Sequence, residues 1–268
     1  MKRFITTILT FALILTTAIA LPSCDSKAKT VTVGYTDYPP MNYTDENGKL
    51  VGFDTELATK MFNELGYEVR FKLIDWGNRY SELNGGTIDC IWNGFTANAS
   101  DDDGVARSEK VDFSYYYMTN AQCIVRKTTQ ADISSDAGFE GKTVAFENSS
   151  AGQAFVDGIT VNTNKKGVGT QMDALLSVKA GTADFAVVDV LLAKAIVGTG
   201  DYSTLTLNEG IEIAGEYYAV GFKKGSELTD KINELFVKYA ENGYLTELAK
   251  KYDLDNSIIT DYEKNAQE

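Results

Sequence analysis

Two acids stand where apolar runs end. Glu147 follows the run 141–146 and opens the stretch Glu147-Asn148-Ser149-Ser150, while Asp189 follows 185–188 and precedes the apolar run 190–197. A carboxyl at the carboxyl end of a buried strand faces the crevice in which α/β proteins take ligands. There it can pair with a cation, or, in an apolar setting, hold its proton to higher pH and serve as a general acid. Asp189 can equally cap a helix beginning at Val190, and Glu147 can point to water. Tyr38 lies beside Pro39-Pro40 and Trp76 beside Gly77, loop positions that favour a place in a site over one in a core. Other chemistry is removed by composition. The chain has no histidine, which excludes His-based triads, imidazole acid–base catalysis and most zinc sites. Of the three cysteines, Cys90 and Cys123 sit in buried-strand patterns with no histidine to activate a thiolate, so neither reads as a nucleophile. They can pair with each other outside the cytoplasm or pack as free thiols.

These residues need elements to position them, and the hydrophobic pattern supplies two sets. Residues 31–33, 69–73 and 88–92 read as strands separated by helical stretches at 54–65 and 80–83. Leu57, Met61 and Leu65 recur every four residues, Asp54 can cap that helix, and Gly66 ends it. Asn47-Gly48 marks a tight turn. The rhythm restarts with strands at 123–125, 141–146 and 185–188 and helices near 150–156, 172–179 and 190–197. A strand at 217–222, a long helix capped by Ser226 and a shorter helix after Gly243 close the chain. Two α/β units predict a cleft between them.

Length and charge agree with that division. The 268 residues suit one large domain or two ordinary ones, and 44% apolar with 24% charged residues is normal for a soluble globular chain. Twenty-five basic against 38 acidic residues give −13, the opposite of the basic footprint that a nucleic-acid partner requires. Lys2 and Arg3 precede an apolar run at 4–21, the pattern of a secretory signal. Leu21-Pro22-Ser23-Cys24 resembles a bacterial lipobox, in which the Cys is lipidated and becomes the first mature residue. Cleavage there removes Lys2 and Arg3 and leaves a net −15. Residues 24–30 then form a polar tether to a body held outside the cytoplasm.

Eight stretches, taken in order, resemble the family 3 bacterial extracytoplasmic solute-binding proteins, the amino-acid receptors of ABC importers. They are YPPMNY (38–43), GKLVGFD (48–54), IDCIWNGFT (88–96), RSEKVDFS (107–114), GKTVAF (141–146), AGTADFAVVD (180–189), EYYAVGFKKGSEL (216–228) and ENGYLTELAKKY (241–252). The resemblance implies a type II periplasmic-binding-protein fold, with two α/β lobes joined by two crossing hinge strands near 122–125 and 217–221. Lobe 1 would comprise 31–119 and 216–268, lobe 2 residues 120–215, after a signal at 1–23. It also implies a monomer that needs no cofactor or metal, captures a free amino acid by closing its lobes, and is recognised by a membrane permease.

The same resemblance assigns roles. Arg107, in R-x-x-K-V-D-F-S, matches the residue that clamps the ligand carboxylate. It lies eleven residues after Thr96, where relatives have about five, in a loop holding Asp101, Asp102 and Asp103. The insertion leaves open a merely solvated Arg107. Asp189 matches the carboxylate that takes the α-ammonium. Backbone N–H groups around Ser149, Ser150 and Ala151 would complement the ligand carboxylate. Tyr38 and Trp76 match the aromatic pair that sandwiches the aliphatic stem; Gly94 and Thr96 match strand-end ligand contacts, and Asn93 can reach the ligand beside them. Glu147 aligns with a position facing the distal end, where a carboxylate favours a Lys or Arg tail or an amide NH₂, and Asp37 could do the same. The reading is therefore a lipid-anchored binder of a polar or cationic amino acid. Its rival is an enzyme on the same scaffold, such as a cyclohexadienyl dehydratase, with Glu147, Asp189 and Asp37 as acids.

Overall fold

The computed structural model describes residues 29–262. The expected signal and Cys24 lie outside them. Strand β1 (Lys29–Tyr35) begins two residues before its apolar core, and Lys29 and Thr30, expected in the tether, already pair with Tyr67 and Glu68. Strand β4 (Tyr67–Leu73) offers a parallel ladder along this whole length, so backbone hydrogen bonding extends β1 past its apolar part.

These two strands start the first sheet, whose order is β4, β1, β5 (Cys90–Ile91), β13 (Gly221–Phe222) and β6 (Asp112–Phe113). A small hairpin of β2 (Tyr43–Thr44) and β3 (Leu50–Val51) forms around the Asn47-Gly48 turn. The first sheet is flanked by α1 (Phe53–Glu64) and the short α2 (Arg79–Asn84). Helix α7 (Glu227–Glu241) buries Ile232, Leu235, Phe236 and Tyr239, a 3–4 spacing that puts one stripe against the core. Helix α8 (Tyr244–Lys251) follows it. Both are tied to α1: Lys238 and Tyr239 reach Glu64, each at 2.6 Å, and Lys251 and Tyr252 reach Glu56, each at 2.5 Å.

The second sheet has the order β11 (Leu205–Leu207), β7 (Met118–Lys127), β10 (Phe185–Asp189), β8 (Thr143–Glu147) and β9 (Asn164–Val168). It is covered by α4 (Ala151–Asp157), α5 (Gln171–Ala180) and α6 (Val190–Ile196). Strand β9 carries no apolar alternation, and β11 is only the three residues Leu-Thr-Leu. As edge strands they are held by backbone pairing to β8 and β7, and the lysines of β9 suit an edge.

Strand β7 meets β12 (Gly215–Tyr218) in an antiparallel pair, from Gly215 opposite Ala121 to Tyr218 opposite Met118. From there the chain enters β13 of the first sheet. The crossing therefore lies at 118–121 and 215–218, a few residues before the expected 122–125, because Gln122 onward is already laddered to β10. Cys90 stands in the first sheet and Cys123 in the second, and both are free thiols.

Asp54 departs from its expected role. Helix α1 starts at Phe53 with Gly52 as its N-cap. The Asp54 carboxyl turns into the core and accepts from the Gly94 N–H at 3.1 Å and the Tyr117 hydroxyl at 3.0 Å. Burial lifts its pKa from 3.8 to about 7, against those donors. A raised folded-state value means its contribution to stability is complete below the unfolded pKa and is lost as pH climbs through about 7. The loss amounts to at most ~4 kcal/mol at 1.36 kcal/mol per unit. Asp54→Asn, which cannot ionise, is expected to flatten this part of the profile. Thermal melts of both proteins from pH 4 to 8 check it: the wild type should lose ground to the variant as pH rises.

Candidate functional site

Between the lobes lies a cavity lined by Thr36, Tyr38, Trp76, Asn93, Gly94, Thr96, Arg107, Glu147, Ser150, Ala151, Gln171 and Asp189. Ten of the twelve candidate residues of the sequence are among them; Asp37 and Ser149 are not. The free space between these side chains is only about 20 Å³. That is room for about one water molecule, well below the volume of a ligand pocket. A larger groove of about 670 Å³ opens beside 111–116 and the start of α7, but its Lys224 is already paired with Asp112 at 3.0 Å. The buried charges are in the smaller cavity.

The first lobe supplies an aromatic and amide wall. Tyr38 and Trp76 are almost fully buried. Trp76 opens a single 3-10 turn capped by Asp75, whose carboxylate accepts from the Gly77 N–H at 2.8 Å. The Tyr38 hydroxyl lies 2.7 Å from that of Tyr218, which rises from the crossing strand β12. Asn93 lines the cavity, yet its amide is committed locally. It donates to the Thr36 carbonyl at 3.0 Å and Asn42 Oδ1 at 2.8 Å, and accepts from the Thr36 hydroxyl at 2.6 Å. Gly94 has φ +57°, and a Cβ there would run into the rings of Tyr38 and Tyr218. Only glycine lets the strand end approach these tyrosines so closely. Its N–H is held by Asp54.

Arg107 is 2% exposed, so the inserted loop has not left it on the surface. It opens the one-turn helix α3 (Arg107–Lys110). Its Nε donates to Asp101 Oδ1 at 2.9 Å, one terminal nitrogen to the Thr96 carbonyl at 3.1 Å, and the other to the Ser149 carbonyl of the second lobe at 3.5 Å. All three nitrogens thus have protein acceptors, drawn from both lobes, and the residue lines the cavity between them.

The second lobe brings the acids. Glu147, at the end of β8, is 4% exposed and its Oε1 has no hydrogen-bond partner. Burial is the main cause that lifts it to about 8; nearby Asp189 adds to the rise and Arg79 opposes it. Asp189 closes β10 and precedes α6, but its side chain makes no capping bond. It accepts instead from Asn120 at 2.9 Å, from Gln122, and from Gln171 at 2.6 Å, and its own N–H donates to Gln171 Oε1 at 2.7 Å. Burial raises its pKa, and these donors work against the rise. Ser150 caps α4 by accepting from the Gln153 N–H at 3.1 Å, and the Ala151 N–H belongs to the first turn, where a helix has no internal acceptor. Asp37 is exposed and takes no part in the cavity lining.

Several members of this constellation were not foreseen. Asn120 and Gln122 also donate to Glu216, at 2.9 and 3.2 Å, and Thr96 donates to it at 3.1 Å. Burial, then Asp189, pushes Glu216 up to about 7. Asn120 and Gln122 had a legible signal, two polar residues at period two on the buried face of a strand reading Met118, Asn120, Gln122, Ile124. Gln171 and Thr36 had none, since a polar residue after a helix cap or beside a turn is ordinary.

Residues 31–255 match the bacterial extracellular solute-binding proteins, family 3. The L-cystine-binding protein TcyA of Bacillus subtilis is 30% identical over 233 residues, covering 80% of this chain and 77% of that protein. The arginine-binding extracellular protein ArtP of the same organism is 28% identical over 248 residues, covering 91% and 93%. Among solved structures, an ancestral arginine-binding protein bound to arginine superposes with a TM-score of 0.76 at 30% identity, covering 83% of this chain and 97% of that one. These relatives are binding proteins, and the two lobes with their crossing strands are the type II periplasmic-binding-protein architecture. The chain belongs to family 3 of the bacterial extracellular solute-binding proteins.

Proposed function

We propose that this chain is a lipid-anchored extracytoplasmic receptor that captures a polar or cationic free amino acid between its lobes and delivers it to an ABC permease. The observation that carries the reading is one cavity faced by Arg107 from one lobe and by Asp189 and Glu147 from the other. Such a site is complementary to a zwitterion only when both lobes contribute. The Arg107 fork takes the carboxylate, and Asp189 takes the α-ammonium. Tyr38 and Trp76 enclose the aliphatic stem, with Gly94, Thr96, Ser150 and Ala151 completing the shell around the α-carbon and Asn93 holding the wall. Glu147, buried with a free oxygen, asks for a donor at the distal end, which a guanidinium, an ammonium or an amide provides. Relatives that carry arginine or cystine in their names bear on the class of ligand. Cys24 bears the lipid, and the body acts as a monomer.

A thermal-shift panel of the soluble body against the common amino acids tests this. A ligand at a hundred times its Kd stabilises the folded state by about 2.7 kcal/mol, a shift of several degrees for a protein of this size. Arginine, lysine or glutamine is expected to give the largest shift. A flat panel overturns the reading, and turnover of a cyclohexadienyl acid such as prephenate would replace it with the enzyme.

A further inference from the structure

The loop that precedes Arg107 is a built structure. Ser100 and Ala106 form an antiparallel bridge, the Asp101 N–H donates to the Val105 carbonyl at 3.0 Å, and the Gly104 N–H returns to the Asp101 carbonyl at 2.8 Å. This closed turn aims the Asp101 carboxylate inward, where its side chain is 8% exposed. One oxygen accepts from Arg107 Nε at 2.9 Å and from Arg79 at 2.6 Å; the other accepts from Lys110 at 2.9 Å. Arg79 and Arg107 are the two most deeply buried cations of the described residues, at 1% and 2% exposure. Arg79 is fixed further by the Trp76 carbonyl at 2.8 Å and lies 4.8 Å from the centre of the Trp76 ring.

We infer that Asp101 is the positioning residue of the ligand clamp: by holding Arg107 at Nε it fixes the guanidinium plane so that its terminal nitrogens present to the cavity, and by holding Arg79 it seats Trp76 in the wall. This rests on the reading of Arg107 as the carboxylate clamp. A guanidinium anchored along one edge keeps its opposite edge in a single orientation, which is what bidentate recognition of a carboxylate needs. The Asp101 carboxylate also removes the repulsion between two buried guanidiniums. Burial favours its neutral form, but Lys110, Tyr80, Arg79 and Arg107 outweigh burial and hold it ionised, at about 2. Burial and Arg79 both pull on the Arg107 proton, and Asp101 opposes them. The residues that lengthen the approach to Arg107 thus carry the group that orients it.

The test uses Asp101→Asn, Asp101→Glu and Arg107→Ala in the full body. The probe is L-arginine, or, if it leaves the melting point unmoved, the amino acid in the panel that raises it most, each with its methyl ester. Asp101→Asn is expected to raise the Kd of the free amino acid about 10- to 100-fold, the range set by a hydrogen bond to a charged group. The ester, which lacks the carboxylate, should change by no more than about threefold by the same arithmetic, and Asp101→Glu should restore most of the free-acid affinity. Equal losses for acid and ester, or no loss, overturn the inference. A readout without ligand separates it from the proposed function. The Arg107 Nε–H resonance, identified by its disappearance in Arg107→Ala, should exchange slowly with water in the wild type and fast in Asp101→Asn. If the resonance behaves so and no amino acid binds, the function fails and the positioning stands; if exchange is the same in both proteins, the positioning fails.

Discussion

Arg107→Ala is expected to weaken capture of a free amino acid by about 30- to several-thousand-fold, the equivalent of roughly 2–5 kcal/mol for removing one partner of a buried charge pair. Most of the loss should fall on the dissociation rate. The fold should survive, because Asp101 keeps Arg79 and Lys110 as partners and is not left as an unpaired buried charge. A modest fall in melting point accompanies the lost guanidinium packing over the Phe95 ring, whose centre lies 5.4 Å away. Arg107→Lys separates charge from geometry. It retains a cation but not the fork, so it should recover only part of the affinity. Calorimetric titration of the three proteins measures this. Full affinity in Arg107→Ala would mean that the carboxylate is held elsewhere in the cleft.

The second large effect is a pH dependence centred on Glu147. The groups that bear on it are Asp189, Arg79, Asp75 and Gln171, and the balance of burial and charge leaves it protonated at neutral pH, with a pKa of about 8. A ligand tail carrying a guanidinium or ammonium favours the ionised carboxylate, so binding expels the proton. Affinity for such a ligand is then expected to rise with pH by up to tenfold per unit and to level off above about 8, where Glu147 is already ionised in the free protein. An ammonium tail itself deprotonates only near 10.4. Asp189 and Glu216 are raised too, so both proteins should show some slope, and the Glu147 share is the difference between wild type and Glu147→Gln. In that variant the affinity for a cationic tail should fall about 10- to 100-fold at pH 8, with little change for a neutral amide tail. Titrations from pH 5.5 to 9, in buffers of different ionisation enthalpy, count the protons released. Identical slopes in the two proteins would remove Glu147 from the distal subsite.

The parts of this molecule that were readable in the sequence are those where one residue type has one physical use. Leu57 and Met61 in α1, or the apolar run closing on Asp189 in β10, announce helix and strand because only burial explains their spacing. Asp189 and Glu147 were visible because an acid at the end of an apolar run is out of place unless something faces it. Asp54 escapes such a reading because a carboxyl at a helix start usually caps, whereas here Gly52 caps and the carboxyl holds Gly94 and Tyr117, 40 and 63 residues away, by 3.1 and 3.0 Å bonds. Long-range pairings of this kind, like those of Glu216 with Thr96 or Asp101 with Arg79, join residues that are each ordinary alone. The polar strand β9 was silent for a different reason, since ladder hydrogen bonds use the backbone and leave no mark on side-chain type.

The crossing strands can also be regarded as an axle. Any rotation of one lobe against the other turns about the pairing of 118–121 with 215–218, and a group's travel grows with its distance from that line. Asp189 is one hydrogen bond from Asn120 and Gln122 of β7, which in turn grip Glu216 of β12. It sits at the hub of that line. Farther out, two contacts cross between the lobes: Gln153 of α4 reaches Asp102 of the inserted loop at the surface at 3.2 Å, and the buried Arg107 reaches the Ser149 carbonyl. Under the proposed function, the α-ammonium is therefore held beside the axle, while the carboxylate on the same carbon is held at the jaws.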